Sequence, residues 1–135
     1  MLVIDASVAL AWCFADEATP ATDALVPLVR REGATVPAHW GLEVTNALLV
    51  AERRSRITSD EVAAHLRTIA ALGIQVDPET DRRVGRDILK VARAGGLSIY
   101  DAAYLELAQR LVVPLATLDK ELAKAASKSG VKVRP

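Results

Sequence analysis

The sequence predicts an α/β fold built around a mainly parallel sheet. Three observations carry that expectation. Short apolar or β-rich runs, Leu2-Val3-Ile4, Ile74-Gln75-Val76 and Leu115-Ala116-Thr117, recur between longer segments of helical periodicity. The first run does not alternate, as suits a strand covered on both faces. The 135 residues are 51% hydrophobic and 25% charged, which suits one sizeable core and excludes a disordered chain. No repeat, low-complexity tract or linker is visible, so residues 1–135 read as one domain.

Taken in order, Leu2 to Ile4 form the first strand and Asp5 closes it. Ser7 to Phe14 continue as a short apolar helix. Thr19 suits an N-cap and Pro20 the first helical position, which opens a helix to Arg31 with Ala21, Leu25, Leu28 and Val29 inward. Gly33 stands at its C-cap. Ala34-Thr35-Val36 is a second strand, stopped by Pro37. A helix from about Trp40 to Arg54 carries Leu42, Val44, Ala47, Leu48 and Ala51 as its apolar stripe. Thr58 and Glu61 form a capping box for the next helix, which stops at Gly73. These two helices read as a hairpin around Arg54, placed to protrude as an insertion or lid. Ile74 to Val76 is a strand, ended by Asp77-Pro78. A helix from about Glu79 to Ala94 stops at Gly95-Gly96. Ser98 opens another, to about Leu111. Leu115 to Thr117 is a strand, Asp119 opens a helix to about Ser127, and Val131 to Val133 is a last strand.

Composition limits the chemistry. Lys plus Arg equals Asp plus Glu at 17 each, so net charge favours no polyanionic partner and only a local patch would. Cys13 is the one cysteine, which leaves no intrachain disulfide or multi-cysteine zinc site and reads as a small buried hydrophobe. No secretory signal and no membrane-spanning run is present, and the cytoplasm is the expected compartment. His39 and His65 lack ligand spacing, which argues against a catalytic histidine. Trp12, Phe14 and Trp40 suit the core or a partner surface. Tyr100 and Tyr104 flank Asp101 at helical spacing, one to line a pocket and the other to pack.

The carboxylates are more informative. Asp5 ends a buried strand, where a lone charge costs several kcal/mol. Asp101 lies in a helix first turn, Asp119 follows a strand, and Glu43 lies early in a helix. In a parallel sheet, strand C-termini and the N-termini of following helices share the edge where ligands bind. At ~4 Å and an effective dielectric of about 20, each carboxylate pair repels by about 4 kcal/mol. Raised pKa values or a cation must relieve that. Oxygen-only donors favour Mg²⁺ or Mn²⁺ over Zn²⁺. One or two such ions activate water and steady a phosphoryl group, the chemistry of a nuclease or phosphodiesterase. Each acid also has a purely structural reading: Asp5, Asp101 and Asp119 as helix caps, Glu43 as a first-turn dipole partner. Only their joint placement outweighs it.

The ordered segments Val3-Ile4-Asp5-Ala6-Ser7-Val8, Glu43-Val44-Thr45-Asn46-Ala47-Leu48, Ser98-Ile99-Tyr100-Asp101-Ala102-Ala103-Tyr104-Leu105 and Ala116-Thr117-Leu118-Asp119-Lys120-Glu121-Leu122 resemble a PIN domain. The likeness is greatest to the VapC-type toxins of toxin–antitoxin pairs, and it extends from Met1 to about Val133. It implies a three-layer α/β/α fold and a metal-dependent endoribonuclease. Asp5, Glu43, Asp101 and Asp119 match the acids that bind Mg²⁺ or Mn²⁺, with Asp5 and Asp101 as direct ligands. Ser7, Asn46 and Thr117 match supporting polar positions. The resemblance also implies RNA as substrate, 5′-phosphate and 3′-hydroxyl products, a homodimer, and an antitoxin whose C-terminal segment covers the acidic pocket. Where some relatives carry a further aspartate, this chain has Lys120 and Glu121.

Arg53, Arg54 and Arg56 cluster at the end of the Glu43 helix, where they suit contact with RNA phosphates or the antitoxin. Arg82, Arg83 and Arg86 cluster elsewhere, as readily a solvated helix end. Two alternatives stand beside the nuclease. One is a receiver-type Mg²⁺-binding signalling domain with Asp77 as phosphoacceptor, against which the placement of Lys132 inside a strand argues. The other is a catalytically silent PIN-fold binding protein, against which four intact acids argue.

Overall fold

The computed structural model describes residues Met1 to Pro135 throughout. Five short strands, β1 (Leu2–Ile4), β2 (Ala34–Val36), β3 (Gln75–Val76), β4 (Leu115–Ala116) and β5 (Val133–Arg134), form one sheet in the order β3-β2-β1-β4-β5. Every neighbouring pair is parallel. A receiver-type sheet runs 2-1-3-4-5, so this order excludes that alternative. The last strand lies two residues beyond its expected start.

Parallel connections are right-handed, so their direction across the sheet decides which face their helices cover. The chain steps from β1 to β2 to β3, then returns to β4 and β5 on the other side of β1. Helices α1 (Ala6–Cys13), α2 (Pro20–Asp23), α3 (Leu25–Glu32), α4 (Trp40–Arg53) and α5 (Ser59–Ala70) therefore belong to one face. Helices α6 (Thr80–Arg83), α7 (Leu89–Gly95), α8 (Ile99–Leu111) and α9 (Lys120–Lys128) belong to the other. Packing follows the same division: α1 meets α4 and α4 meets α5, while α8 meets α7 and α9. The result is three layers, α/β/α, with β1 in the middle and Leu2, Val3 and Ile4 fully buried.

Local chemistry explains the elements and the departures from expectation. Thr19 caps α2 in a reciprocal box with Thr22, and Thr58 caps α5 in a box with Glu61. The single helix expected from Pro20 to Arg31 is two helices meeting at Ala24. Pro27 is the reason: it lacks the N–H that would bond to the Asp23 carbonyl, and its ring crowds that carbonyl. Ala21 is consequently exposed rather than inward. The segment expected as one helix from Glu79 is α6 and α7 joined by a π-helical turn, Val84–Ile88. Leu42, expected in the apolar stripe of α4, is 76% exposed, because the buried stripe is Trp40, Val44, Leu48 and Ala51. Cys13 is half-buried, and burial pushes its thiol up to about 11. Phe14 and Trp40 are in the core.

Below the second helical layer lies a buried ionic network. Arg110 reaches both oxygens of Asp77 at 3.2 and 2.6 Å and Glu106 Oε1 at 2.9 Å. Asp77 and Glu106 are almost fully buried. The candidate phosphoacceptor of the receiver reading is thus fully engaged in an ion pair.

Candidate active site

Asp5 leaves the C-terminal end of β1 and Thr117 leaves the end of β4 beside it. Between these two strands the winding direction reverses, and such a point opens a crevice in an α/β sheet. Asp5 is only 5% exposed. Its Oδ1 accepts from the Ser7 hydroxyl and from the Val8 N–H at 3.3 Å, and its Oδ2 accepts from the Thr117 hydroxyl. Ser7 Oγ accepts from the Leu118 N–H, and Thr117 Oγ1 from the Asp119 N–H, both at 3.0 Å. The two hydroxyls expected as supports therefore hold Asp5 and also brace the turn that presents Asp119. Burial nevertheless pushes the Asp5 carboxyl above its ordinary value against these donors, and the charge of Asp101 adds to the shift.

Asp101 stands in the first turn of α8, and its N–H donates to Ser98 Oγ at 3.1 Å. Burial raises its carboxyl, and the charges of Asp119 and Glu43 raise it further. Asp101 thus feels two of the other acids, and its own charge acts on the third, Asp5. Glu43 stands in the first turn of α4. Its Oε1 accepts from the Tyr104 hydroxyl at 2.8 Å and lies 2.8 Å from His39 Nε2. Burial opposes its ionisation, but the bonds from His39 and Tyr104 prevail and hold its carboxyl below the ordinary range. Burial, and then the negative charge of Glu43, push the Tyr104 hydroxyl far up, so it remains a donor. Asp119 caps α9, its Oδ1 accepting from the Leu122 N–H at 2.8 Å.

The structural readings of Asp5 and Asp119 hold. Asp5 and Asp119 do cap helices, and Ser98 caps α8. The same geometry sets Asp5 and Asp119 at helix N-termini beside the ends of β1 and β4. No three His, Cys, Asp or Glu side chains converge within chelating distance as they stand. Glu43 and Asp119 each commit one oxygen to local donors. The donor set still fits a hard cation. It is all oxygen, it is crowded with negative charge, and it includes one almost fully buried carboxylate braced by two hydroxyls.

Not every expected residue joins this site. Asn46 is exposed on α4, three residues after Glu43 and therefore on the same side of the helix. Arg53 and Arg54 are exposed at the end of α4. Arg56 is also exposed but is held against the protein: it pairs with Asp16 at 2.6 Å and Glu17 at 3.6 Å and lies 4.0 Å above the Phe14 ring. Glu121 lines a separate cleft of about 870 Å³ between α7, α8 and α9, with Lys90, Lys124 and Lys128. None of the four acids lines that cleft. His39 is the residue that sequence reasoning passed over. Its spacing of four from Glu43, across a helix start, was the available signal.

Of the two tyrosines, Tyr104 both packs and touches the site, while Tyr100 is 66% exposed.

Comparison with known proteins agrees with this architecture. The crystal structure of PAE2754 from Pyrobaculum aerophilum superposes with a TM-score of 0.71 at 27% identity, over 98% of this chain and 82% of that one. Ribonuclease VapC3 from the same organism is 32% identical over 82 residues, which span 61% of this chain and 63% of that protein. The PIN domain profile matches residues 2–128, nearly the whole length over which the sheet, the hydroxyl-braced aspartate and the other three acids are distributed. The chain is a member of the PIN domain family.

Proposed function

We propose that this protein is a divalent-metal-dependent endoribonuclease, the toxin of a toxin–antitoxin pair, and that its 135 residues act as one nuclease domain. The observation that carries the reading is the almost fully buried Asp5 carboxylate at the reversal point of the sheet, braced by the Ser7 and Thr117 hydroxyls. Family membership and the likeness to Ribonuclease VapC3 support it. Asp5 and Asp101 are the direct ligands in this reading. Glu43 and Asp119 complete the cluster or hold the attacking water. A bound Mg²⁺ or Mn²⁺ supplies Lewis acidity, activating that water and steadying charge on the scissile phosphate. Ser7 and Thr117 keep Asp5 fixed while the charge of its surroundings changes. An acidic crevice repels a phosphate backbone, so substrate contact falls to cations outside it, of which Arg53 and Arg54 are the exposed candidates. A homodimer and an antitoxin that covers the crevice complete the proposal, both on the strength of the VapC-type likeness.

The test is cleavage of single-stranded RNA and of total RNA by the purified chain with Mg²⁺ or Mn²⁺. Asp5→Ala and Asp101→Ala are expected to abolish cleavage and to remain folded. Cleavage that persists in either variant, or in excess EDTA, sinks the reading.

A further inference from the structure

We propose that His39, together with Tyr104, is a positioning residue for the acid cluster: it fixes the Glu43 carboxylate and ties the start of α4 to the first turn of α8. This rests on the metal-site reading above and deepens it. His39 precedes α4, and its carbonyl accepts from the Glu43 N–H at 3.1 Å, so the two side chains stand one helical turn apart. His39 Nε2 lies 2.8 Å from Glu43 Oε1 and 3.1 Å from the carbonyl oxygen of Tyr100, the residue before Asp101. An ionised carboxylate and a carbonyl both only accept, so Nε2 must carry the hydrogen, and its single N–H is directed to the Tyr100 carbonyl with the Glu43 oxygen in close contact beside it. The neutral Nε2–H ring and the imidazolium both carry that hydrogen.

Two consequences follow for the acids. Oε1 of Glu43 accepts from the Tyr104 hydroxyl and lies in close contact with His39 Nε2, and the two together restrict rotation of the carboxylate. Its Oε2 takes no hydrogen bond from either residue. The same nitrogen holds the backbone next to Asp101, so the separation between Glu43 and Asp101 is set through one atom. The His39 ring is wedged between the two tyrosines, with centroid distances of 5.8 Å to Tyr100 and 5.1 Å to Tyr104, which fixes its own orientation. Donors of this kind behind a metal-binding carboxylate tune affinity as strongly as they tune geometry.

The experiment is calorimetric titration of the full chain with Mn²⁺ alone, alongside the kinetics of RNA cleavage. His39→Ala is expected to weaken Mn²⁺ binding by about 10- to 100-fold. It is also expected to lower kcat with little change in KM for RNA. His39→Gln, which keeps an N–H donor, should recover part of the affinity. Tyr104→Phe, which keeps the packing and loses the other donor, should also weaken binding, and it carries the test if His39→Ala does not fold. A merely structural histidine would lower the unfolding midpoint and leave Mn²⁺ affinity unchanged. Wild-type affinity in His39→Ala, equal weakness in the Ala and Gln variants, or wild-type affinity in Tyr104→Phe overturns the inference alone. An unmodified chain that binds no Mn²⁺ overturns the metal site and this inference with it.

Discussion

The Thr117 hydroxyl donates to Oδ2 of Asp5, joining two strand ends that are 112 residues apart in sequence. The bond spans the point at which the chain reverses its winding, and it is buried. Thr117→Val keeps the shape and removes the donor, leaving a buried carboxylate oxygen unpartnered. The loss is expected to be about 1–3 kcal/mol by urea denaturation. Thr117→Ser should retain most of the stability. Equal midpoints for Val and wild type would show that the bond contributes nothing.

Asp101 makes stability depend on pH. Burial, Asp119 and Glu43 raise its carboxyl, so without metal the folded chain holds this proton more tightly than the unfolded chain. The protonated group contributes fully below the ordinary value of 3.8, and its contribution fades as pH rises through the raised folded value. Asp101→Asn removes the charge. In EDTA it should unfold at a higher temperature than wild type at pH 7, and the gain should vanish at pH 3. A midpoint at pH 7 equal to or below that of wild type contradicts the crowding described here.

Arg110 supports the fold away from the site. Replacing it with Met leaves the buried Asp77 without its cation and Glu106 with only Arg83 at 3.6 Å, and removal of one member of such a pair costs about 3–5 kcal/mol. Burial opposes ionisation of Asp77, but its bonds to Arg110 prevail and hold its carboxyl low. That contribution is present above 3.8 and is lost as pH falls through the depressed folded value. Arg110→Met should therefore be most damaging near neutral pH and converge with wild type in acid. RNA cleavage per folded molecule should not change, since Arg110 touches none of the four acids. Denaturation at two pH values and active-fraction-corrected rates check both points.

The three arginines near the α4–α5 turn should separate by role. Arg53→Ala and Arg54→Ala are expected to weaken RNA binding and to reduce its salt dependence, by about 0.7 in the log–log slope for each phosphate no longer neutralised. Arg56→Ala should instead loosen the turn from Asp16, Glu17 and Phe14, lowering thermal stability with little change in that slope. Binding measured across a salt series distinguishes the two behaviours.

Much of this was legible before any coordinates. Leu2-Val3-Ile4 had to be a buried strand because the run is apolar without alternation, and the caps at Thr19, Thr58, Ser98 and Asp119 followed from side chains that satisfy free helix N–H groups. The four acids were identifiable because each follows a strand or opens a helix, and in a parallel sheet those positions share an edge. Local rules failed where a distant or main-chain constraint prevailed. Pro27 split a helix whose pattern looked continuous, Leu42 faced outward because Trp40 and Val44 took the buried side, and Arg56 found its partners 40 residues away. Tertiary structure alone decided how the acids are held. Asp101 feels the charges of Asp119 and Glu43 because the start of α8 lies near both, and Glu43 is held because His39 and Tyr104 meet one of its oxygens. Sequence determines which groups are available at an edge through short-range chemistry. Their mutual distances depend on helix orientations set by packing across the sheet, and only the folded chain contains that information.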